Sequence, residues 1–171
     1  MRFEAEIPYP VDTVVTSFCD NAIKKKWDTQ ISDKNKVFDE RIEGNIQYDK
    51  VYNYTKFPFM ISDREIVAER KIVRSYTGDS KKTLVTLHSI EEPSYPIKSN
   101  PVRTTIYVNA FYFEANGDKS TKVISVRKWD MHFAGPMLKM MKKKGGPGAD
   151  AVKTMIDGIK KGCEMVLESK K

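Results

Sequence analysis

The sequence predicts an α+β fold in which a curved antiparallel sheet of about seven strands is closed by one long C-terminal helix. Three observations predict it. Between residues 36 and 133, segments that alternate like strands are separated by short turn signals, and short connections favour antiparallel pairing. Two short helical patterns follow the first strand. A long amphipathic stripe ends the chain, and a twisted sheet can curl around such a helix, with a cavity between them.

The N-terminal elements are expected to be one strand and two short helices. Residues 2–7 alternate and predict the strand, which Pro8 and Pro10 end. Apolar residues then recur at helical spacing as far as Trp27. We expect two helices here, broken near Asp20–Asn21.

The central strands are separated by glycine-containing and asparagine-containing turns. They are expected at residues 36–42, 46–56, 64–74, 83–91, 102–115 and 120–133. The pair around Asn116–Gly117 has the clearest turn signal. The connection 91–102 carries three prolines and is too long for a hairpin turn. Loops of that kind often act as lids or binding loops, although a poorly structured excursion is the alternative.

The C-terminal helix is expected from about Ala149 to Ser169, after a break at Gly145–Gly148. Its apolar residues fall on one stripe with spacings of three and four, and charged residues occupy the other side. The stripe consists of Val152, Met155, Ile156, Ile159, Cys163, Val166 and Leu167.

Composition indicates one ordinary globular domain over residues 1–171. Hydrophobic residues make up 40% and charged residues 31% of the chain, and no repeat is present. No apolar run has the roughly 20 residues of a spanning helix, and the N-terminus lacks the apolar core of a signal peptide. Cys19 and Cys163 lack metal-ligand spacing. We therefore expect a reduced, cytoplasmic protein without a metal or cofactor.

The net charge of +7 favours anionic partners, or it serves solubility alone. Basic clusters occur in "IKKKWD" and "KMMKKK", but no nucleic-acid motif accompanies them, so nucleic acid is not expected. The stretch "GPMLKMMKKK" fits an anionic membrane surface better. Its apolar residues could enter the headgroup region, or the methionines could pack on the core instead. These membrane-contact candidates are Met137, Leu138, Met140 and Met141.

Catalytic constellations are scarce. His88 and His132 are the two histidines, and neither belongs to a zinc or nucleophile motif. No phosphate-binding glycine motif is complete, because "KKKGGPGAD" lacks the P-loop ending. We therefore expect no enzyme activity. A triad assembled in space, or acid–base catalysis by a pocket histidine or glutamate, stays open.

Several stretches in fixed order resemble a START domain, the lipid-transfer module of the helix-grip, Bet v 1-like superfamily. "KKKWD" is similar to the family's Trp-Asp after the second short helix, and "VYNYTKFPFMISDREIVAER" to its aromatic strand and Ser-x-Arg-Asp stretch. "HSIEEPSYPIKSNPVR" is similar to its omega loop, and "AGPMLKMM" to its Gly-x-Ile-Pro segment. The resemblance covers nearly the whole chain, which would be a minimal form without the family's N-terminal helices.

The sequence departs from the family at named positions. His132 stands where the family often has Asp. Asn53 and Ile66 stand where phosphatidylcholine-binding members have aromatic residues, which argues against choline recognition. Lys24 occupies the place of a basic residue that such members use against the lipid phosphate.

The resemblance implies which face of the sheet lines a cavity. Strand 64–74 then turns Ile66 and Arg70 inward, and a buried Arg70 must meet a carboxylate or a lipid headgroup. In strand 102–115 the inward set is polar at one end and aromatic at the other, which suits an amphiphile. This set is Arg103, Thr105, Tyr107, Asn109, Phe111 and Phe113. The alternative places Arg70 and Arg103 on an outer, solvated face.

The resemblance implies a monomeric protein that binds one lipid and transfers it between intracellular membranes. The ligand would be a phospholipid, sterol or sphingolipid, and the protein would contact anionic membranes transiently. The C-terminal helix and loop 91–102, with Tyr95 and Pro96, would form the gate. Expected lipid-binding residues are Lys24, Asn53, Ile66, Arg70, Arg103, Tyr107, Asn109, Phe111, Met155 and Ile159. The alternatives are a Bet v 1-like enzyme of the cyclase or dehydratase kind and an interaction module with a filled core.

Overall fold

In the part of the chain that the structure describes, eight strands form one open sheet, and one face of this sheet is packed against helices. The computed structural model describes residues 1–28, 31–57, 61–133 and 147–170. In these ranges the strands are β1 (Arg2–Ile7), β2 (Lys36–Glu43), β3 (Ile46–Thr55), β4 (Arg64–Arg74), β5 (Lys82–Ser89), β6 (Val102–Arg103), β7 (Thr105–Ala115) and β8 (Thr121–Asp130). The helices are α1 (Val11–Cys19), α2 (Asn21–Trp27) and α3 (Pro147–Glu168).

The strand order is β1-β8-β7-β5-β4-β3-β2, and all neighbours in this path are antiparallel. The short β6 lies off the path and pairs with β4 in parallel. Consecutive strands are neighbours almost throughout, as short connections require. The predicted α+β class, with a curved antiparallel sheet and a long final helix, is confirmed.

The predicted strand 102–115 is in fact two strands. Val102 and Thr104 donate their N–H groups to the backbone of Asp63 and Glu65, which starts a separate pairing with β4. A bulge between Ile106 and Val108 then shifts the register of β7 against β8. Each irregularity resets the alternation of side chains. Tyr107 is 57% exposed, so the prediction that it lies on the inner face was wrong.

The helix-facing side of the sheet carries the main hydrophobic core. Phe18 of α1 lies with its ring centroid 4.4 Å from that of Phe111 and 5.6 Å from that of Phe113. The buried residues of this core are Ile7, Val14, Val15, Phe18, Cys19, Ile72, Val85, Phe111, Phe113, Val123, Ile159 and Cys163. They come from β1, β4, β5, β7, β8, α1 and α3, so this core joins most of the sheet to two helices.

The break between α1 and α2 is a helix cap. The side chain of Asp20 accepts hydrogen bonds from the backbone N–H groups of Ala22 and Ile23, at 2.8 and 3.0 Å. These are orphan donors of a helix N-terminus, which a capping carboxylate satisfies. The predicted interruption at Asp20–Asn21 is confirmed.

Two glycines allow α3 to lie directly against α2. A Cβ atom at Gly158 would overlap the Trp27 ring, and one at Gly162 would overlap both Trp27 and Ser17. The Trp27 Nε1–H donates to the backbone oxygen of Ser17 at 3.3 Å, and Ser17 Oγ donates to that of Ile159 at 2.8 Å. One indole ring and one hydroxyl therefore join α1, α2 and α3.

The two halves of α3 are buried to different extents. From Gly158 to Val166, the sheet-facing and helix-facing positions are buried, and Ile159 and Cys163 are fully so. In the first half, Val152, Met155 and Ile156 are only half-buried. The C-terminal half is thus the anchored part of the helix.

Gly158→Ala is expected to destabilise the fold, because the added methyl group would overlap the Trp27 ring. Overpacking costs about 1–3 kcal/mol, which exceeds the roughly 1 kcal/mol that alanine gains over glycine in a helix. Chemical denaturation measures the change. The control is the same substitution in a Trp27→Ala background, where the space is open and alanine should stabilise. An equal effect in both backgrounds would contradict this packing.

Candidate functional site

A buried ion pair lies on the helix-facing side of the sheet. Arg70 donates from Nε to Asp49 Oδ1 at 2.8 Å and from Nη2 to Oδ2 at 2.7 Å, and its Nη1 donates to the backbone oxygen of Cys19 at 2.9 Å. Burial alone would lower the pKa of Arg70, but the hydrogen bonds and charge of Asp49 outweigh it, and the pKa lies above its usual value. Arg70 was expected to face inward and meet either a carboxylate or a lipid headgroup; it faces inward, and its partner is the carboxylate of Asp49.

A cleft of about 360 Å³ opens beside this pair, between the α1–α2 junction and strands β2 to β4. Arg70, Cys19, Val37 and Gln47 contribute to its walls. Its volume is near the lower end of the range for small-molecule sites, about 300–1,000 Å³. A lipid with two acyl chains would therefore extend beyond it.

Arg127 is a second cation on the helix-facing side. It follows Val123 and Ser125 at alternate positions of β8, and both of these are buried. Its Nε donates to Ser125 Oγ at 3.0 Å, and its Nη2 lies 2.8 Å from the Sδ of Met155 on α3. Burial lowers the pKa of Arg127 to about 10, so it remains charged at neutral pH. Among the residues that the structure describes, no carboxylate pairs with it.

Aromatic rings surround the Arg127 guanidinium. Its Cζ lies 4.5 Å from the ring centroid of Phe111, 5.2 Å from that of Phe3 and 5.8 Å from that of Trp129. These distances are within the range of cation–π attraction, which partly compensates for lost hydration.

Lys24 brings a third positive charge to the same region. It is half-buried on α2, with Nζ 5.2 Å from the centroid of the Phe18 ring. Burial lowers the pKa of Lys24; the charge of Asp28 opposes this shift, and the charges of Arg70 and Arg127 add to it. Lys24 and Arg127 thus approach opposite members of the Phe18–Phe111 pair.

Asn109 is the neighbour of Arg127 across the β7–β8 ladder. Asn109 is 7% exposed, and its Oδ1 has no hydrogen-bond partner among the described residues. A buried amide oxygen without a donor is costly, so such atoms call for an explanation.

Asn53 and Ile66 lie opposite each other in β3 and β4, on the helix-facing side. Asn53 Oδ1 accepts a hydrogen bond from Asn35 Nδ2 at 3.2 Å. Ile66 packs with a second core cluster of Val51, Ala68 and Ile106. Both side chains are thus already engaged within the protein.

Phe111, Met155 and Ile159 occupy the core side of the site. Phe111 and Ile159 are buried in the main core, and Met155 packs against it. They give the site an apolar floor beside its polar groups.

Arg103 does not lie on the helix-facing side, and the prediction that it does was wrong. It pairs with Glu65, with Nε 2.8 Å and Nη2 2.7 Å from Oε1, and Glu65 lies one position out of phase with Arg70. Glu65 also accepts a hydrogen bond from the hydroxyl of Tyr52, at 3.0 Å. The reason is the strand break at Thr104, which the sequence alternation did not reveal.

Loop 91–102 begins on this opposite face. The ring of Tyr95 stacks on that of Tyr52 at 4.4 Å, and its backbone oxygen accepts a hydrogen bond from Arg103 at 2.7 Å. Lys50 Nζ lies 2.8 Å from a carboxylate oxygen of Glu92. Pro96 is exposed. The loop is therefore held to the sheet away from the helices.

Other predicted features lie outside the described residues. These are Met137, Leu138, Met140 and Met141, together with Gly145 and Gly146 of the expected hinge. Within the described ranges, no cluster of potential metal ligands occurs, and none of the helices combines the length and the hydropathy that a membrane span requires.

Arg127 was missed by the sequence reasoning, although a signal for it existed. Alternation along β8 places Val123, Ser125 and Arg127 on one face, as it does for Arg70 in β4. The unpaired state of Asn109 had no such signal, because it depends on contacts between strands.

Family comparison matches a START domain to residues 1–159. Bovine phosphatidylcholine transfer protein (Bos taurus) is 25% identical over 112 residues, 66% of this chain and 50% of that protein. The mouse protein of the same name (Mus musculus) is 31% identical over 108 residues, 62% of this chain and 47% of that protein. The chain thus spans about half the length of the curated relatives it matches.

Solved structures share the fold. Human STARD10 superposes with a TM-score of 0.79 at 19% identity, over 99% of this chain and 64% of that one. Human StAR-related lipid transfer protein 5 gives 0.74 at 14% identity, over 96% and 75%. The Zhui aromatase/cyclase from Streptomyces gives 0.54 at 9% identity, over 96% and 92%. At these identities the likeness shows the fold alone.

Asp49→Asn is expected to destabilise the protein by about 3–5 kcal/mol, because Arg70 would stay buried without its counter-charge. Chemical denaturation measures the loss. The control is Glu43→Gln, which breaks the exposed Arg41–Glu43 pair and should cost less than about 1 kcal/mol. Equal losses in the two variants would show that the buried pair has no special role.

Proposed function

The chain belongs to the START domain family, and on that premise we propose that it binds one lipid on the helix-facing side of its sheet and transfers it between membranes. The observation that supports the proposal is a set of buried or half-buried polar side chains next to apolar core residues on one side of the sheet. Arg70, Arg127, Lys24 and Asn109 supply the polar end, and Phe111 is part of the floor. An amphiphile matches this combination.

Acyl chains supply the affinity, and polar contacts supply the selectivity. Burying a CH₂ group gains about 0.8 kcal/mol, but a membrane shelters the same chain nearly as well. The difference between lipids therefore rests on headgroup contacts in this site. Arg70 contributes little to that difference, since Asp49 already neutralises it.

Exchange of the lipid requires part of the protein to open. The C-terminal half of α3 is locked by Trp27 and Ser17, whereas Met155 and its neighbours in the first half are half-buried. We infer that the first half of α3 moves. Pro147 and Gly148 of the expected hinge are the first residues of this helix, and Gly145 and Gly146 lie outside the described part of the chain. Loop 91–102, expected as the second part of the gate, is held to the opposite face of the sheet by Tyr95 and Glu92, so the gate in this proposal is α3.

The protein acts as a cytoplasmic monomer that binds membranes peripherally in this proposal. Its net charge of +7 supports attraction to anionic bilayers. The segment 135–144, with its four lysines, would make the contact. Phospholipids, sterols and sphingolipids are all amphiphiles that such a site could hold.

The enzyme alternative has less support from the described residues. His88 is 52% exposed, and its Nε2 lies 3.9 Å from Glu69, which is out of phase with the helix-facing Arg70. The side chain of His132 is 49% exposed beside Asp130. Neither imidazole faces the site, where an acid–base group would have to act.

Native mass spectrometry of the protein purified from cells is the direct test. A co-purified lipid is expected, and vesicle-to-vesicle transfer of a fluorescent phospholipid should be measurable. Val37→Trp would fill the cleft and should abolish both, since Val37 lines it. Ile42→Trp on the same strand is 75% exposed and should change neither. An empty protein without transfer would support the filled-core interaction module instead.

Cysteine labelling tests which part of α3 moves. Burial raises the pKa of the Cys163 thiol to about 11, so it should resist alkylation at pH 8 until the protein unfolds. In a Val152→Cys variant, vesicles are expected to accelerate labelling of residue 152 while Cys163 stays protected. Each site is quantified by peptide mass spectrometry. Simultaneous labelling of both would mean that the whole helix detaches.

A further inference from the structure

Arg127 differs from the other buried or half-buried arginines in its partners. Arg70 and Arg103 each pair with a buried carboxylate, and Arg64 donates to the backbone oxygens of Met131 and Ser62. The partners of Arg127 are the hydroxyl of Ser125 and the thioether of Met155, and no described residue supplies it with an anion. A guanidinium has five N–H donors, and two are used here. A buried cation without a counter-ion is costly unless a ligand supplies the anion.

Asn109 adds an independent observation beside Arg127. The two residues face each other across the β7–β8 ladder, and Oδ1 of Asn109 is buried without a donor in the described part of the chain. An amide oxygen in this position accepts a hydrogen bond from any hydroxyl placed against it. The site therefore offers positive donors for an anion and, next to them, an acceptor for a hydroxyl.

Lys24 extends the positive potential of the same site. Its ammonium group approaches the Phe18 ring, and the guanidinium of Arg127 approaches the Phe111 ring against which Phe18 packs. Burial lowers the pKa of Lys24, and the positive charge of Arg127 adds a smaller lowering.

We propose that Arg127 and Asn109 make this site selective for the headgroup of an anionic phospholipid, with Arg127 joining Lys24, the family's basic position, on the phosphate and Asn109 Oδ1 on a headgroup hydroxyl. This inference rests on the proposed function and names its ligand class. Phosphatidylglycerol and phosphatidylinositol have this chemistry: a phosphodiester with one net negative charge and free hydroxyls.

The site disfavours a choline headgroup for two reasons. Lys24 and Arg127 would repel the quaternary ammonium, and the nearby carboxylate of Asp49 is occupied by Arg70. The rings of Phe3, Phe111 and Trp129, which could attract a cation, already contact the guanidinium of Arg127.

The test compares transfer of fluorescent phosphatidylglycerol and phosphatidylcholine between otherwise identical vesicles. The wild type should favour phosphatidylglycerol. Arg127→Met replaces the guanidinium with an unbranched apolar side chain. It should lower the preference for phosphatidylglycerol over phosphatidylcholine about tenfold, as expected for loss of charged hydrogen bonds. Lys128→Met removes the same charge from an exposed position of the same strand and should leave it unchanged. Equal loss in both variants would mean that only surface charge matters.

A second comparison isolates Asn109. Phosphatidylmethanol has the charge of phosphatidylglycerol but no headgroup hydroxyl, so the wild type should transfer it less well. Asn109→Leu should remove the difference between the two lipids, whereas a purely structural role would preserve it. Thermal unfolding of each variant verifies folding.

The outcomes separate this inference from the proposed function. Transfer of both phosphatidylcholine and phosphatidylglycerol at equal rates would overturn the headgroup site and leave lipid transfer standing. No transfer of any lipid, and none co-purified, would overturn both. Glycerol 3-phosphate is the soluble control: the lipid assignment predicts that millimolar concentrations leave bound phosphatidylglycerol in place, and displacement of the lipid would show that the site takes soluble phosphates instead. If a variant fails to fold, lipids co-purified with the wild type decide, and a choline lipid alone would refute the assignment.

Discussion

The contact of Arg70 with Asp49 and the carbonyl of Cys19 is the interaction on which the arrangement of helices depends. It joins β3 and β4 to the end of α1, at the point where the chain turns into α2. Through Ser17, α1 in turn holds the backbone of Ile159 in α3. The pair is buried, so each partner requires the other. It also removes one carboxylate and one cation from the helix-facing surface, and the charge balance left there is positive.

Local periodicity predicted those parts of the fold that local forces decide. The limits of β4 were predicted as 64–74, because alternation is strong there, and the inward direction of Arg70 followed. The break between α1 and α2 followed from Asp20. The placements of Arg103 and Tyr107 failed, because hydrogen bonds from distant strands create the break at Thr104 and the bulge beyond it. The alternation of residues along a strand does not reveal where such bulges and breaks occur.

In the candidate site, too, some features follow from the sequence of one segment and others depend on contacts between strands. The resemblance to a family indicated which face of the sheet holds the site; Asn109 lies on that face, and Lys24 of α2 lies over the Phe18 ring beside it. The same alternation rule places Arg127 on this face of β8, but alternation does not reveal which charged residues lack a counter-ion. The pairing state of each polar group, which decides what is available to a ligand, emerges only when all strands are aligned. A shared fold therefore does not determine which polar groups are available to a ligand; the individual side chains do.

The contact between Trp27 and the two glycines of α3 has a mechanical consequence. Sliding the helix along its axis by one residue, about 1.5 Å, would bring larger side chains onto the indole ring. Axial translation of α3 is therefore blocked at this contact. Since Ile159 and Cys163 are buried beside it, separation of the helix from the sheet is confined to the half-buried stretch from Val152 to Ile156, and α3 must bend or unwind at its boundary with the anchored half.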